Sequence, residues 1–375
     1  MQRLLTVCEF VKPQRERPAL KTLRFAIDAA NPDSEPSRSS IERAAGILRS
    51  GGLIAFPTET VYGLGACALD REAVGKIFAA KDRPAWDPLI VHVAGWEMLK
   101  TVVEQPVSET ARRMMSAFWP GPLTLLLPRT GPVPDIVTAG RPLVGVRMPA
   151  HPIAHALIAA AGVPVVAPSA NRFGRISPTL ANHVLEDLDG RIDAILDGGE
   201  ATHGLESTVI DASQAPVVLY RPGVITAESI RAVCGEVVQW TPSQDRPKGP
   251  PESMPSPGVG IRHYAPRARL VTVEEQSGAH SGAFLQAVED AVQAHSRIGV
   301  LLPTGHPDEA NVRAIAKIIA FGWGNWSEPE QLAHNLFAGL RALDHAGVDI
   351  IVCPLPSAHG IGAAIRDRLL KGAKL

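Results

Sequence analysis

The ten residues FPTETVYGLG, at positions 56–65, begin at the last residue of the short apolar run at 53–56. An apolar run of this length that gives way to small and polar residues predicts a buried strand ending at Phe56. Two threonine hydroxyls, a carboxylate and a phenol then share a turn with two glycines. Glycine lets a ligand approach the backbone, and hydroxyls bind polar small molecules. The segment predicts either a binding loop at a strand end or a tight turn capped by its own hydroxyls.

The same alternation of short runs extends along the chain on both sides. Before this segment, the sequence predicts a strand at 22–27, a loop at 28–38 and a helix opened by the capping box Ser39-Ser40-Ile41-Glu42. After it, apolar runs bounded by Gly, Pro or Asp predict strands at 89–93, 123–127, 143–148, 163–167, 194–196, 208–210 and 217–220. Helical periodicity separates several of them, at 71–80, 108–118, 153–161 and 180–188. The pattern predicts a mixed α/β domain over residues 22–235, after an N-terminal extension at 1–21 with no assigned function.

A proline-rich segment divides the chain. Residues 240–258 read WTPSQDRPKGPPESMPSPG, a composition typical of an extended linker, which we place at 236–266. Behind it, strands predicted at 269–273, 298–302 and 349–353 alternate with helices predicted at 284–294, 308–318, 328–346 and 361–370. Such alternation predicts a small parallel α/β domain over residues 267–375.

Composition excludes several classes of protein. The 375 residues carry 37 basic and 38 acidic side chains, so the net charge of −1 argues against a polybasic nucleic-acid binder and gives no reason to expect a membrane surface. The 4 cysteines lie far apart and form neither a zinc pair nor a disulfide framework, which favours a reducing cytoplasm. No apolar run reaches the length of a membrane span, and the N-terminus lacks an apolar signal core.

Two cations leave the end of the helix predicted at 71–80. Lys81 and Arg83 stand two residues apart beside a proline. A point charge next to a planar guanidinium suits a polyphosphate, although helix C-termini favour cations in any case.

Two more charged or titratable groups lie inside apolar strands. Alternation turns His92 away from Val91 and Val93, which predicts either a pocket-facing imidazole or a satisfied core histidine. Arg147 lies in the run at 143–148 and, if buried, needs an anionic ligand or a carboxylate; an edge strand is the alternative.

Small polar residues follow three other strands. Ser169 and Asn171 lie in APSAN, and Ser177 follows shortly after; ligands bind at such strand ends in α/β sheets, although a plain surface loop reads the same way. Ser207 and Arg221 likewise stand at strand ends, as site residues or as caps. No G-x-S-x-G elbow surrounds Ser207, and no Walker A loop, Rossmann glycine fingerprint or kinase motif occurs in the sequence.

Eight segments follow one another in the order FPTETVYGLG (56–65), KDRP (81–84), PLIVHV (88–93), WPGPLT (119–124), VRMP (146–149), APSAN (167–171), ESTVID (206–211) and YRPG (220–223). In this order, and with SPG and RHYAP inside residues 256–266, the chain resembles the long, two-domain form of the L-threonylcarbamoyladenylate synthase family. The resemblance implies an α/β fold: an open, twisted mixed sheet of the YrdC-like type with a concave basic face, then a smaller Rossmann-like domain. It also implies a nucleotidyltransferase that joins L-threonine, bicarbonate and ATP, helped by Mg²⁺, into threonylcarbamoyl-AMP and pyrophosphate. The product would pass to a downstream tRNA threonylcarbamoyl-transfer enzyme complex, with a weak contact to RNA and none to a membrane.

The resemblance also implies roles for individual residues. Threonine would be held by Thr60, His92, Arg147 and Ser207. ATP would be held by Lys81, Arg83, Asp87, Ala167, Ser169, Asn171, Ser177 and Arg221. Catalysis would rest on Lys81, Arg83 and Arg147, and the linker would close over the site through Arg262, His263 and Tyr264.

Two departures from the family pattern stand out. Asp87 occupies a position where asparagine is expected, and a carboxylate facing a triphosphate is repulsive unless a metal ion or Lys81 offsets it. Val259-Gly260-Ile261 replaces a triplet that usually carries a cation and an aromatic ring.

Three other functions compete with the synthase. A concave basic face could bind RNA, although the net charge of −1 argues against this as the main role. Ser207 or Ser169 could be a hydrolase nucleophile. A carbamoyltransferase relative shares the domain type, but this chain has neither its cysteines nor its length.

Overall fold

The computed structural model describes residues 21–241, 253–256, 258, 263–274, 282–294 and 296–374. In these ranges the large sheet contains β1 (Leu23–Ala26), β2 (Ile54–Phe56), β3 (Gly63–Cys67), β4 (Ile90–His92), β5 (Leu123–Pro128), β6 (Leu143–Arg147), β7 (Val165–Val166), β8 (Ala194–Asp197), β9 (Thr208–Asp211), β10 (Val217–Arg221) and β11 (Val237–Gln239). Its strand order is β1-β8-β2-β3-β7-β4-β6-β5-β9-β10-β11, with parallel and antiparallel pairs. The mixed α/β class is therefore confirmed.

Eight helices accompany this sheet in the described part of the chain. They are α1 (Glu35–Arg49), α2 (Arg71–Lys81), α3 (Trp96–Lys100), α4 (Glu109–Phe118), α5 (Asp135–Thr138), α6 (Pro152–Ala161), α7 (Ala181–Leu188) and α8 (Ala227–Cys234). Residues of α2 and α4 pack on one face of the sheet, whereas α1 and α6 pack on the other. Each fully buried Leu, Ile or Met in these layers contributes about 1.5–3 kcal/mol.

The second sheet is wholly parallel, as expected for a Rossmann-like unit. It consists of β12 (Arg269–Glu274), β13 (Ile298–Thr304), β14 (Ile318–Asn325) and β15 (Ile350–Leu355), in the order β12-β15-β13-β14. Its helices are α9 (Ala283–Ala294), α10 (Glu309–Ala314), α11 (Pro329–His345) and α12 (Gly360–Gly372). Among all the helices of the described ranges, none combines the length and apolar character needed to cross a membrane.

The first helix begins earlier than its predicted capping box. Helix α1 starts at Glu35, with Ser34 as N-cap and Pro36 in the first turn, so the predicted loop at 28–38 is too long. Proline suits the first helical turn because its missing N–H would be unpaired there, and Glu35 places negative charge at the positive end of the helix.

The helix predicted at 308–318 is wrong beyond Ala314. Lys317 has a φ of 73°, a left-handed conformation that ends any helix, and the apolar residues after it form β14 against β13. Strand β11 pairs with β10 and so extends the large sheet into the span 236–266 that the sequence assigns to the linker.

Strand β3 lies where the sequence suggests only a turn. Its glycines make the strand possible, because a Cβ on Gly65 would lie 2.8 Å from Cε1 of Phe56 and 3.0 Å from Cγ1 of Val165. The segment between Phe56 and Gly63 is therefore the connection of a β2–β3 antiparallel pair.

The two sheets share one apolar cluster. Val61, Ile176 and Leu205 from the first unit pack with Leu336 and Phe337 of α11. The smaller unit therefore packs against the loop between β2 and β3 and against the loop before β9.

Candidate active site

A cleft opens over the face of the large sheet formed by neighbouring strands from β3 to β10. The space between its lining atoms, open solvent included, is about 610 Å³. Of the residues assigned to the site from sequence, those that line it are Thr60, Arg83, His92, Arg147, Ala167, Ser169, Ser207, Arg221, His263 and Tyr264. The sheet order explains this convergence, because segments distant in sequence lie on adjacent strands.

Arg147 is held in the cleft by polar groups from three other residues. Its Nη2 lies 2.6 Å from Oε1 of Glu59, its Nη1 donates to Oγ1 of Thr60 at 2.9 Å, and its Nε donates to the backbone oxygen of Gly121 at 3.2 Å. Burial raises the pKa of Glu59, but Arg147 and the backbone N–H of Ala150 outweigh it and lower the pKa to about 2. The ion pair is therefore charged at neutral pH, and it fixes the guanidinium at the end of β6.

His92 pairs in register with Arg147 across β4 and β6. Val91 and Val93 lie in the core on the opposite face, which confirms the predicted direction of the imidazole. Burial, followed by the nearby charge of Arg147, lowers the pKa of His92 to about 3, so the ring is neutral. Its buried Nδ1 has no hydrogen-bond partner among the described residues.

Ser207 and Arg221 form a second polar group beside Arg147. Arg221 donates from Nη2 to Oγ of Ser207 at 3.1 Å and from Nε to its backbone oxygen at 3.0 Å. Oγ of Ser207 also lies 2.8 Å from Oγ1 of Thr124. Burial lowers the pKa of Arg221, which nevertheless remains a cation at neutral pH because guanidinium groups keep their proton in proteins. Arg221 lines the cleft as well.

Arg83 reaches the cleft from the loop after α2. Its Nη2 donates to the backbone oxygen of Pro88 at 2.8 Å and lies 2.9 Å from Oδ2 of Asp87. Burial raises the pKa of Asp87, although Arg83 and then Lys81 oppose the change. The carboxylate that departs from the family pattern is thus paired with Arg83, and not with Lys81, which the charge argument had named beside a metal ion.

Two linker residues cover this end of the cleft. His263 stacks edge-on against Phe173, with ring centroids 5.0 Å apart, and its Nε2 lies 3.8 Å from Oδ2 of Asp87. Burial, followed by the charge of Arg83, lowers the pKa of His263 to about 3. Tyr264 stacks on Phe337, with centroids 5.6 Å apart. Arg262 and the triplet at 259–261 lie outside the described residues.

Four residues expected to hold ATP lie behind the lining of the cleft instead. The ammonium group of Lys81 donates hydrogen bonds to the backbone oxygens of Ser169 and Asn171, and the residue is 1% exposed. The amide of Asn171 donates to two backbone oxygens, and Oγ of Ser177 donates to Oε1 of Glu206 at 2.5 Å. Asp87 pairs with Arg83. Lys81 therefore lies behind the lining of the cleft, whereas Arg83, Arg147 and Arg221 line it; contact of these cations with ATP stays a prediction.

Two carboxylates of the site were not singled out from the sequence. Glu59 pairs with Arg147, and Glu206 lines the cleft beside Ser207. Both stand inside the motifs quoted above, and a buried arginine on a neighbouring strand was the signal that a carboxylate partner should exist. Thr124 is a third omission, marked only by a lone hydroxyl in an apolar run.

The chain is similar to known proteins over both of its units. A family model described as "Telomere recombination" matches residues 46–223, and one described as "Threonylcarbamoyl-AMP synthase, C-terminal domain" matches residues 225–374. The chain is 42% identical to the threonylcarbamoyl-AMP synthase of Pyrococcus abyssi over 89% of this chain and 94% of that protein. It is 40% identical to the threonylcarbamoyl-AMP synthase of Bacillus subtilis over 94% of this chain and 98% of that protein.

A solved structure shows the same fold. The crystal structure of P. abyssi Sua5 complexed with L-threonine superposes with a TM-score of 0.81 at 39% identity, covering 94% of this chain and 98% of that chain. The similarity therefore spans both sheets and the cleft over the large one.

Proposed function

The chain belongs to the threonylcarbamoyl-AMP synthase family and is an enzyme of the transferase class, and from this premise we propose that it makes L-threonylcarbamoyl-AMP from L-threonine, bicarbonate and ATP. Pyrophosphate is released, and the adenylate is consumed in the cytoplasm by a tRNA threonylcarbamoyl-transfer complex. The observation that carries the proposal is the convergence of three buried guanidinium groups, those of Arg83, Arg147 and Arg221, on one cleft beside a neutral imidazole.

Threonine occupies the end of the cleft near β4 and β6. Arg147 attracts its carboxylate, and Thr60 and Ser207 offer hydroxyls to its polar groups. The free Nδ1 of His92 accepts a hydrogen bond from the amine or hydroxyl of threonine. Because His92 is neutral, it adds no positive charge that would repel the ammonium group before deprotonation.

The chemistry then proceeds in two steps. The unprotonated amine of threonine attacks the carbon of bicarbonate or CO₂, forming a C–N bond and a carbamate; with bicarbonate, water leaves, and with CO₂, the nitrogen loses a proton to solvent. A carbamate oxygen attacks the α-phosphorus of ATP, a P–O bond forms, and the bond to pyrophosphate breaks. Negative charge grows on phosphate oxygens in this step, so fixed cations stabilise the transition state by electrostatics and positioning, with no covalent enzyme intermediate.

ATP occupies the opposite end of the cleft. Arg83 and Arg221 face its phosphates, while Ala167 and Ser169 line the wall assigned to the nucleoside. Lys81 acts from behind by holding the carbonyls of Ser169 and Asn171. Removing it leaves two buried acceptors without a donor, which distorts the wall rather than removing a phosphate contact.

Mg²⁺ is proposed to enter as part of the nucleotide substrate. The described residues contain no group of three His, Cys, Asp or Glu side chains placed to hold a metal. The carboxylates beside the cleft, Glu59, Asp87 and Glu206, each face an arginine instead. These side chains do not fit a resident metal ion, whereas Mg²⁺ commonly binds through substrate phosphates.

The hydrolase alternative finds little support in the geometry. Oγ of Ser207 lies against Thr124 and Arg221, neither of which is a general base. A serine nucleophile needs a base within hydrogen-bond reach. We therefore retain the adenylate-forming reaction.

Pyrophosphate release tests the proposal. The protein is incubated with MgATP, labelled bicarbonate and one amino acid at a time. We expect pyrophosphate with threonine and at most trace amounts with valine, which lacks the hydroxyl but has nearly the same shape. A matched control is Arg24→Ala, which removes a half-exposed arginine paired with Asp197 on the edge strand β1 and should leave release unchanged. Equal release with valine, or none with threonine, would contradict the proposal.

A further inference from the structure

Arg368 lies outside the cleft but is bonded to two segments that form it. This residue of α12, in the smaller unit, is 1% exposed. Its Nε donates to Oε2 of Glu206 at 2.9 Å, and its Nη2 donates to the backbone oxygen of Glu206 at 3.3 Å. Its Nη1 donates to the backbone oxygen of Pro222 at 2.7 Å. One guanidinium therefore joins two segments that are separated in sequence.

Those two segments carry site residues. Glu206 directly precedes Ser207, and Pro222 directly follows Arg221. The same guanidinium lies 5.4 Å from the ring centroid of Tyr264 in the linker. Arg368 thus contacts the start of β9, the end of β10 and the cover of the cleft at once.

Arginine is specifically suited to this task. Its planar fork makes several directed hydrogen bonds at once, whereas a lysine ammonium is a point charge on a flexible stem. Glu206 is buried, so loss of the guanidinium leaves a carboxylate without its cation. Oε1 of Glu206 also accepts from Ser177, so its displacement would spread to that loop.

We propose that Arg368 is a positioning residue through which the smaller unit sets the relative placement of Ser207, Arg221 and Tyr264. The inference rests on the proposed function for the identity of the ligands, but not for the placement itself. It gives the second unit a role in building the cleft: helix α12 adds hydrogen bonds to Glu206, just before β9, and to Pro222, just after β10.

The test compares Arg368→Lys with Arg366→Lys on the same helix. Arg366 donates to the backbone oxygen of Pro356 and pairs with Glu274, both within the smaller unit, so it controls for a general effect on α12. Glu206→Gln breaks the same ion pair from the other side, and it replaces Arg368→Lys as the test variant if Arg368→Lys folds poorly. Thermal unfolding checks that each variant is folded.

Hydrogen exchange gives the first readout. Peptides within residues 205–224 should exchange at least about tenfold faster in Arg368→Lys and in Glu206→Gln than in wild type, with no change in Arg366→Lys. Wild-type exchange in both Arg368→Lys and Glu206→Gln, or equal acceleration in Arg366→Lys, would overturn the positioning role.

Calorimetry supplies the second readout. Wild type should bind threonine and ATP, and Arg368→Lys should weaken each by roughly 10–100-fold, because small misplacements of binding groups have large effects. Unchanged affinities in Arg368→Lys would overturn this inference and leave the proposed function standing. If wild type binds neither compound, the proposed function fails, while the exchange result still decides the role of Arg368.

Discussion

Replacing Arg147 with methionine should destabilise the protein far more at neutral pH than in acid. The substitution keeps the length and apolar stem of the side chain but leaves Glu59 buried without its cation. In the native protein the pKa of Glu59 falls from 4.5 to about 2. A depression of this size corresponds to about 3 kcal/mol of stability at neutral pH, since each unit is worth about 1.4 kcal/mol.

The sign of the pH dependence follows from the direction of this change. Because the folded pKa is below the unfolded value of 4.5, the contribution is complete above that pH and is lost as the pH falls toward 2. In Arg147→Met, burial acts on the carboxyl without opposition and raises its pKa. The charge then costs stability at pH 7, and protonation removes that cost in acid.

Urea unfolding at pH 7 and at pH 3 measures this difference. The free energy of unfolding should be lower in Arg147→Met by at least about 3 kcal/mol at pH 7, and the gap should shrink by more than half at pH 3. The double variant Glu59→Gln/Arg147→Met should recover stability at pH 7 relative to the single variant. A gap of equal size at both pH values would refute the reasoning, because it would mean that packing rather than the ion pair decides the loss.

Three further predictions concern other parts of the molecule. Arg83→Ala should slow threonine-dependent pyrophosphate release by roughly 10²–10³-fold, as for other lost stabilising donors, and near-normal release would contradict its role. The pKa values of His92 and His263 are lowered from 6.5 to about 3, so each histidine should lower the unfolding free energy by about 2 kcal/mol as the pH falls from 7 to 5. His263→Gln should remove the contribution of His263 to this pH dependence. An unchanged dependence of the unfolding free energy on pH in that variant would contradict the burial of His263 as a neutral ring. Gly65→Ala should lower the unfolding free energy by about 1–3 kcal/mol, whereas Gly75→Ala, in open space on α2, should raise it slightly, and equal effects would contradict the tight packing of β3.

Local sequence patterns predict most strands and helices because their burial is regular. The run at 143–148 and the helix at 153–161 match β6 and α6 within two residues, since apolar periodicity and flanking Gly or Pro define both. The pattern fails at β3 and β14. The glycines of β3 read as a turn until their close contact with neighbouring strands is known, and the residues of β14 share apolar content with the helix before them.

The site was predictable as a set of residues but not as a geometry. His92, Arg147 and Ser207 line one cleft because β4 and β6 are neighbours and Ser207 stands just before β9, two strands further along the sheet. It could not show that Lys81 turns to backbone carbonyls, since helix-end cations look alike in sequence whether they bind a ligand or a loop. Nor could it reveal Arg368, whose partner Glu206 lies 162 residues away.

A double-label experiment tests the joint occupancy of the cleft most directly. The protein is incubated with threonine, carbon-labelled bicarbonate and ATP labelled at the α-phosphorus, and the products are separated by chromatography and identified by mass. We predict one threonine-dependent species that carries both labels, formed together with an equal amount of pyrophosphate. Labels that appear only in separate molecules, or an adenylate that forms without threonine, would contradict the account.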